Sequence, residues 1–167
     1  NDNEYVENIF QKNGAGVAVM YSRNILMLRN KFIFNQGAAS YGLLLKEIHT
    51  SKIENNEIRN NTVGIFMESS NRSNFKNNNF YNNGWALRIM GDCDGNDFIG
   101  NNFVENTFDA ATNSTFNTNN FHENYWSHYD GYDLNHDNIG DTPFRPVSLS
   151  SIILEQVDSS YILLGSS

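Results

Sequence analysis

The chain of 167 residues carries 11 basic and 19 acidic side chains, a formal charge of −8. That balance argues against nucleic acid and anionic membrane surfaces as partners, because both are gripped by clustered Lys and Arg. No apolar run reaches the roughly 18–20 residues needed to span a bilayer, and Cys93, the single cysteine, leaves no disulfide framework to build.

The chain opens inside a repeat, as expected for a piece of a longer array, so the lack of a signal peptide carries no information. An imperfect copy comes first, with Ile9 in the place later taken by Phe32 and Asn13 one position late. A regular phrase then recurs, in which an apolar residue is followed by Asn at the third, an apolar residue at the fifth and Asn at the eighth position. Met27, Asn30, Phe32 and Asn35 give the first full copy, and Ile53, Asn56, Ile58 and Asn61 the second. Phe75, Asn78, Phe80 and Asn83 follow, then Phe98, Asn101, Phe103 and Asn106, and last Phe116, Asn119, Phe121 and Asn124. The copies start 26, 22, 23 and 18 residues apart, a spacing that signals stacked repeats.

Between phrases lies a third apolar strand with period-two alternation. Val17 and Val19, Leu43 and Leu45, Ile65 and Met67, and Leu87 and Ile89 are its inward pairs. Met20, Lys46, Glu68 and Met90 then point outward. A coil of about 22 residues read as short strands and turns predicts an all-β fold, a right-handed single-stranded parallel β-helix. Asn is 29 of the 167 residues; it tolerates left-handed turns, and its amide donates and accepts, so stacked Asn can bond from coil to coil. Leucine-rich repeats rank second, since they need one Asn and a run of Leu per repeat. The long first interval predicts an insertion near Gln36–Tyr41, and the short last interval predicts a truncated final coil. A second loop runs from Gly91 to Gly95.

The solenoid is expected to occupy residues 1–124, with residues 125–167 as a capping or docking segment of the same domain. Tyr125, Trp126, Tyr129 and Tyr132 crowd together there, and Pro143 and Pro146 punctuate the chain. Leu149, Ile152, Ile153, Val157, Tyr161 and Leu164 fall near helical spacing and predict a short capping helix after Pro146. A solenoid end exposes unpaired backbone and needs such a cover.

Two sets of residues are candidates for metal chemistry. Asp133, Asn135, Asp137 and Asp141, with Ile139 at the seventh position, match the front of a Ca²⁺ loop, although Asn138 replaces the turn Gly and the twelfth position is Phe144 rather than Glu. The bland reading is an Asp/Asn turn satisfied by its own hydrogen bonds. His122, His128 and His136 form the second set, since copper favours imidazole and, as Cu(I), thioether or thiolate. Met27 and Met67 lie on inward columns, Met20 and Met90 three coils apart, and Cys93 between two aspartates reads as a turn residue. No Ser-His-Asp order, phosphate loop or dinucleotide fingerprint is present, and no carboxylate pair with a Lys or Arg column singles out a polysaccharide-cleaving site.

The segment from Asn124 to Leu149 is similar to the ending of a known family. Asn124, Trp126, Ser127, Tyr129, Gly131 and Asp133 match its Asn-x-Trp-Ser-x-Tyr-x-Gly-x-Asp phrase. Asp137, Ile139, Gly140, Asp141, Pro143, Arg145 and Pro146 match the run that follows. This resembles the NosD family, periplasmic accessory proteins of nitrous oxide reductase. The resemblance implies a parallel β-helix outside the cytoplasm that handles copper and does not catalyse. It also implies nitrous oxide reductase, an ATP-binding-cassette transporter and a copper chaperone as partners. It transfers no copper ligand. The alternative is an extracytoplasmic carbohydrate-binding or carbohydrate-active β-helix module, with Ca²⁺ as its metal.

Overall fold

The computed structural model describes residues 1–114, 118–137 and 139–145, over which the chain winds as a parallel β-solenoid. Each of the first five coils contributes a strand to each of three sheets, and the last to two. The first sheet stacks six strands from Glu4–Val6 to Asn120–His122, and the second six from Ile9–Gln11 to Tyr125–Trp126. The third stacks five, from Ala15–Arg23 to Phe108–Thr112. Every pairing is parallel, so no coil closes on itself and each depends on its neighbours. No helix occurs among the described residues. The helix expected after Pro146 lies outside them, as does Phe116.

Three-residue strands cannot bury a core alone, and stacking solves the problem. Tyr5, Met27, Ile53, Phe75, Phe98 and Phe121 form one inward column. Phe10, Phe32, Ile58, Phe80, Phe103 and Trp126 form the second. The rings lie flat on one another, with centroids 4.5 Å apart for Phe75–Phe98 and for Phe98–Phe121, and 4.7 Å for Phe80–Phe103. Burying each such side chain contributes about 1.5–3 kcal/mol. The third sheet adds Val17, Leu43, Ile65, Leu87 and Ala110 as a further column. The alternation predicted there holds: Leu45 and Met67 are buried, Met20 is 44% exposed, and Lys46 pairs outside with Glu68 at 3.2 Å.

Both ends of the series differ from the sequence reading. Phe10, not Ile9, stacks on Phe32, with centroids 5.3 Å apart, and Ile9 is 61% exposed. Asn13 is not late, since its backbone N–H donates to Asn35 Oδ1 at 3.0 Å. At the other end Phe121 continues the Phe98 column, and Trp126 lies on Phe103 at 4.1 Å. The final step is therefore 23 residues, the same as the one before, although the coil that ends the stack adds strands to the first two sheets and, among the described residues, none to the third. The insertion near Gln36–Tyr41 is real. Asn13 pairs with Asn35 at a separation of 22 residues, whereas Asn35 pairs with Asn61 at 26.

The Asn columns are hydrogen-bonded ladders. Asn56 donates its backbone N–H and its Nδ2 to Asn78 Oδ1, at 3.0 and 2.9 Å. Asn78 repeats this towards Asn101, at 2.9 and 3.0 Å, and its Nδ2 also donates to Ile53 O at 2.8 Å. Both amides are fully buried. Each bond is worth about 0.5–1.5 kcal/mol net, and a slipped coil strands all of them. A third ladder, not anticipated from sequence, mixes residue types. It runs from Ile25 N–H through the Ser51 and Ser73 hydroxyls to the Asn96 and Asn119 carbonyls. Cys93 sits in a fourth, accepting from Ser70 N–H at 3.5 Å, and burial pushes its thiol up to about 11.

The ladder Asn are not themselves the left-handed residues. The residue before each one is: Arg29, Phe34, Asn55, Asn60, Asn77, Asn82 and Glu105 all have φ between 51° and 56°. A left-handed residue turns the corner and sends the next side chain inward to the ladder. Where that residue is not Asn or Gly it carries strain. Glu105→Asn is therefore expected to stabilise the chain by about 0.5–1 kcal/mol, read as a rise of about 1–4 °C in Tm. An unchanged or lower Tm would contradict the strain argument.

At the corner entering the third sheet, Gly16, Gly42, Gly64 and Ala86 stack, and the register continues to Asp109. Coils approach closely here. A Cβ on Gly64 would meet Ala86 O at 2.6 Å, and one on Gly42 would meet Gly64 O at 2.7 Å. The column admits small residues, which makes Asp109 at its end conspicuous.

Candidate functional site

Asp109 is 5% exposed, and its carboxylate ends the second Asn ladder. Asn106, the last amide of that ladder, donates Nδ2 to Phe80 O at 3.1 Å and to Asp109 Oδ1 at 3.4 Å. The other oxygen, Oδ2, lies 3.0 Å from His128 Nδ1. Burial pushes the Asp109 carboxyl up, and its hydrogen bond to His128 and the charge of that ring pull it back. The His128 side chain is 52% exposed, against 3% for that of Asp109. One end of the pair is thus fixed in the protein and the other meets solvent.

The register of the last coil puts His128 there. Ser127 N–H donates to Phe103 O at 2.9 Å and Tyr129 N–H to Trp126 O at 3.0 Å, a turn that carries the chain off the second sheet. Glu105 N–H donates to Ser127 Oγ at 2.9 Å. His128 is thereby laid over the corner occupied by Asn106 and Asp109.

The other predicted ligands are placed elsewhere. His122 is on the outer face of the first sheet, its Nδ1 4.0 Å from Glu123 Oε1, with both side chains exposed. His136 is in the exposed loop with φ 60°. Among the described residues no group of three or more His, Cys, Asp and Glu comes together to hold a metal. The Asp133–Asp141 loop turns its oxygens on its own backbone. Asp137 N–H donates to Asp133 Oδ1 at 3.2 Å and Asn135 Oδ1 at 3.0 Å, Ile139 N–H to Asp137 Oδ1 at 2.8 Å, and Leu134 N–H to Asp141 Oδ2 at 2.7 Å. These are the self-satisfying bonds of an Asp/Asn turn.

The loop closes over the solenoid end. Phe144 packs on Trp126 with centroids 5.0 Å apart and meets Tyr129 edge-on at 6.0 Å. Tyr129 Oη donates to Thr142 O at 3.0 Å. Its ring passes between Gly131 and Gly140, where an added Cβ would lie 2.1 and 2.0 Å from Oη. Gly140→Ala is expected to expel Tyr129 and raise proteolytic cleavage within residues 130–142 about tenfold, a local loss near 1.4 kcal/mol, with little change in Tm. Unaltered cleavage would show that the ring does not pin the loop.

Met20, Lys46, Glu68 and Met90 mark the outer face of the third sheet. It carries a groove of about 740 Å³ lined by Phe66, Glu68, Met90, Asp92 and Asn113. Its carboxylates are engaged, Glu68 with Lys46 and Asp92 with the Ser69 hydroxyl. Beside it Trp85 stacks on Phe108 at 4.1 Å and Tyr41 on Phe66 at 5.2 Å, while Arg88 lies 5.6 Å from the Trp85 centroid. These rings pack against one another along the stack.

Sequence reading named His128 but missed Asp109 as its partner. The signal was available in the third sheet, where position 109 lies 23 residues beyond Ala86 in a column of small residues. Comparison with known proteins gives one finding. Residues 1–131 match the family described as "Periplasmic copper-binding protein (NosD)". No curated protein matches the chain. No helix among the described residues is long and apolar enough to cross a membrane.

Proposed function

The chain belongs to the NosD family, described as periplasmic copper-binding proteins, and from that premise we propose that it is a periplasmic scaffold in the copper-site maturation of nitrous oxide reductase. In this reading it takes up or hands over copper as cargo and docks partner proteins, among them the reductase, transporter subunits and a copper chaperone, through its C-terminal end. It delivers rather than catalyses. The family match over residues 1–131 carries the proposal.

The architecture is consistent with such a role. A solenoid is a rigid rod whose outer columns repeat at the strand spacing of about 4.8 Å, a ruler on which partner surfaces register. The terminal loop over Trp126 gives that rod a distinct end, with Tyr125, Tyr132 and Leu134 exposed at 59%, 75% and 78%. Exposed aromatic and aliphatic side chains of this kind are common anchors in protein interfaces.

Titration of the reduced protein with Cu(I) against a chelator of matched affinity tests the copper-handling core of the proposal. Retention of copper at low micromolar concentration is expected, in the range that permits uptake and release. No retention would count decisively against it.

A further inference from the structure

We propose that His128 is a copper-ligating side chain, binding through Nε2 while Asp109 holds Nδ1, in a coordination sphere completed by a second protein. The inference rests on the copper-handling reading and names the residue that would serve it.

The first observation is the cost of Asp109. The column that it ends is otherwise Gly16, Gly42, Gly64 and Ala86, and packing alone needs no more than a methyl group there. A buried carboxylate is unfavourable unless it is paired and hydrogen-bonded. Here it accepts from Asn106 Nδ2 at 3.4 Å and lies 3.0 Å from His128 Nδ1.

The second is what that pairing does to the ring. An ionised carboxylate at Nδ1 fixes the proton on that nitrogen and leaves the lone pair on Nε2. It also fixes the ring's orientation, which is how outer carboxylates prepare metal-binding histidines. With its side chain 52% exposed, the prepared ring is within reach of solution. Among the described residues His122 and His136 have no comparable buried anchor; exposed Glu123 lies 4.0 Å from the first.

The third is the lack of companions. Among the described residues no group of three or more His, Cys, Asp and Glu gathers around any point. His128 supplies one ligand of the sphere, and its exposure leaves that ligand open to exchange. The remaining ligands would come from a partner offering soft donors, thioether or thiolate, or further imidazoles. The rival account makes the Asp109–His128 pair a latch that holds the terminal turn on the last coil and nothing more.

Side-chain NMR of the ¹⁵N-histidine-labelled protein separates the two, with substoichiometric Cu(II) as the probe. Before metal is added, His128 is expected as the Nδ1–H tautomer. Its ring signals are expected to broaden at copper levels at least about tenfold below those that affect His122 and His136, and Asp109→Asn should reduce that preference by a similar factor. His128→Gln, at an exposed position that keeps the fold, should abolish early broadening of the Ser127 and Tyr129 amides. An Nε2–H tautomer, equal broadening of His122, His128 and His136, or undiminished selectivity in Asp109→Asn would each overturn the proposal. Failure of copper retention in the chelator titration with His128 still selective would sink the maturation role alone. Retention with an indifferent His128 would sink this inference alone.

Discussion

Asn78→Ala is expected to destabilise the chain by about 4 kcal/mol, a large part of the roughly 5–15 kcal/mol that holds a typical domain together. The side chain has four hydrogen bonds, and the methyl group that replaces it has none. Oδ1 accepts from Asn56 N–H and Nδ2, and Nδ2 donates to Ile53 O and Asn101 Oδ1. Asn101 Oδ1 keeps the Asn78 backbone N–H, at 2.9 Å. Asn56 N–H loses its acceptor, Asn56 Nδ2 keeps only Met27 O at 3.0 Å, and Ile53 O loses the amide donor, at about 1–3 kcal/mol for each group stranded, partly relieved by relaxation. Asn78→Asp makes a sharper test. Its second oxygen would face Ile53 O and Asn101 Oδ1, two acceptors, in a site closed to water. Desolvation there raises the folded-state pKa of the new carboxyl above its unfolded value. The folded state then holds the proton more tightly, so the penalty is least below the unfolded pKa and grows as pH rises towards the folded one. Urea unfolding of variant and parent should show the gap between them widening from pH 4 to pH 7. A gap that narrows over that range would mean that the amide ladder does not operate as described.

Phe103→Ala is expected to cost about 3–5 kcal/mol. Phe103 is fully buried between two rings, with centroids 4.7 Å from Phe80 and 4.1 Å from Trp126. The loss is twofold: a cavity opens in the second column, and Trp126 loses the ring beneath it while Phe144 still covers it from above. Trp fluorescence should shift to the red in the folded variant, and the urea midpoint should fall. Phe34→Ala is the control. Phe34 is 42% exposed and touches Arg59, whose guanidinium carbon lies 5.4 Å from its ring centroid, so its loss should cost no more than about 1 kcal/mol. Equal effects at the two positions would contradict the column model.

The central coils were legible from sequence because burial and amide pairing both repeat there. Phe75 and Phe80 each meet the neighbours that their spacing predicts, Ile53 and Phe98 for the first, Ile58 and Phe103 for the second. The ends misled for a reason within the phrase itself. Apolar at the first and sixth places, with Asn at the fourth and ninth, maps onto itself after a slip of five residues. Phe121 and Asn124 therefore fit either face of the coil, and only the continuation to Trp126 distinguishes them. At the start, Tyr5, Asn8, Phe10 and Asn13 satisfy the phrase in full. Ile9 is apolar and fits the place of Phe32 in the phrase, yet its pairing with Lys31 puts it outside. The strained residue at each corner was not legible at all, since Arg29, Phe34 and Glu105 have no shared chemistry. Position decides it: the residue before an inward amide turns the chain.

The same slip concealed the site. With Phe121 placed on the Phe103 column, His128 has no defined neighbour. With Trp126 there, it reaches the corner where Asp109 ends the row of small residues. Asp109 does not stand out in sequence, because its burial depends on coils more than 20 residues away. The Asp133–Asp141 segment was recognised for its oxygens, but a pattern of oxygens does not reveal that the backbone N–H groups beside them are the nearest donors.

The most direct test of this account is the aromatic region of a nuclear Overhauser spectrum, which reports the register of the final coil. The stacking described here predicts cross-peaks from the Trp126 indole to the Phe103 ring and from Phe121 to Phe98, placing His128 beside Asp109. Cross-peaks from Phe121 to Phe103, with none from Trp126 to that ring, would contradict the register and remove the basis for the site.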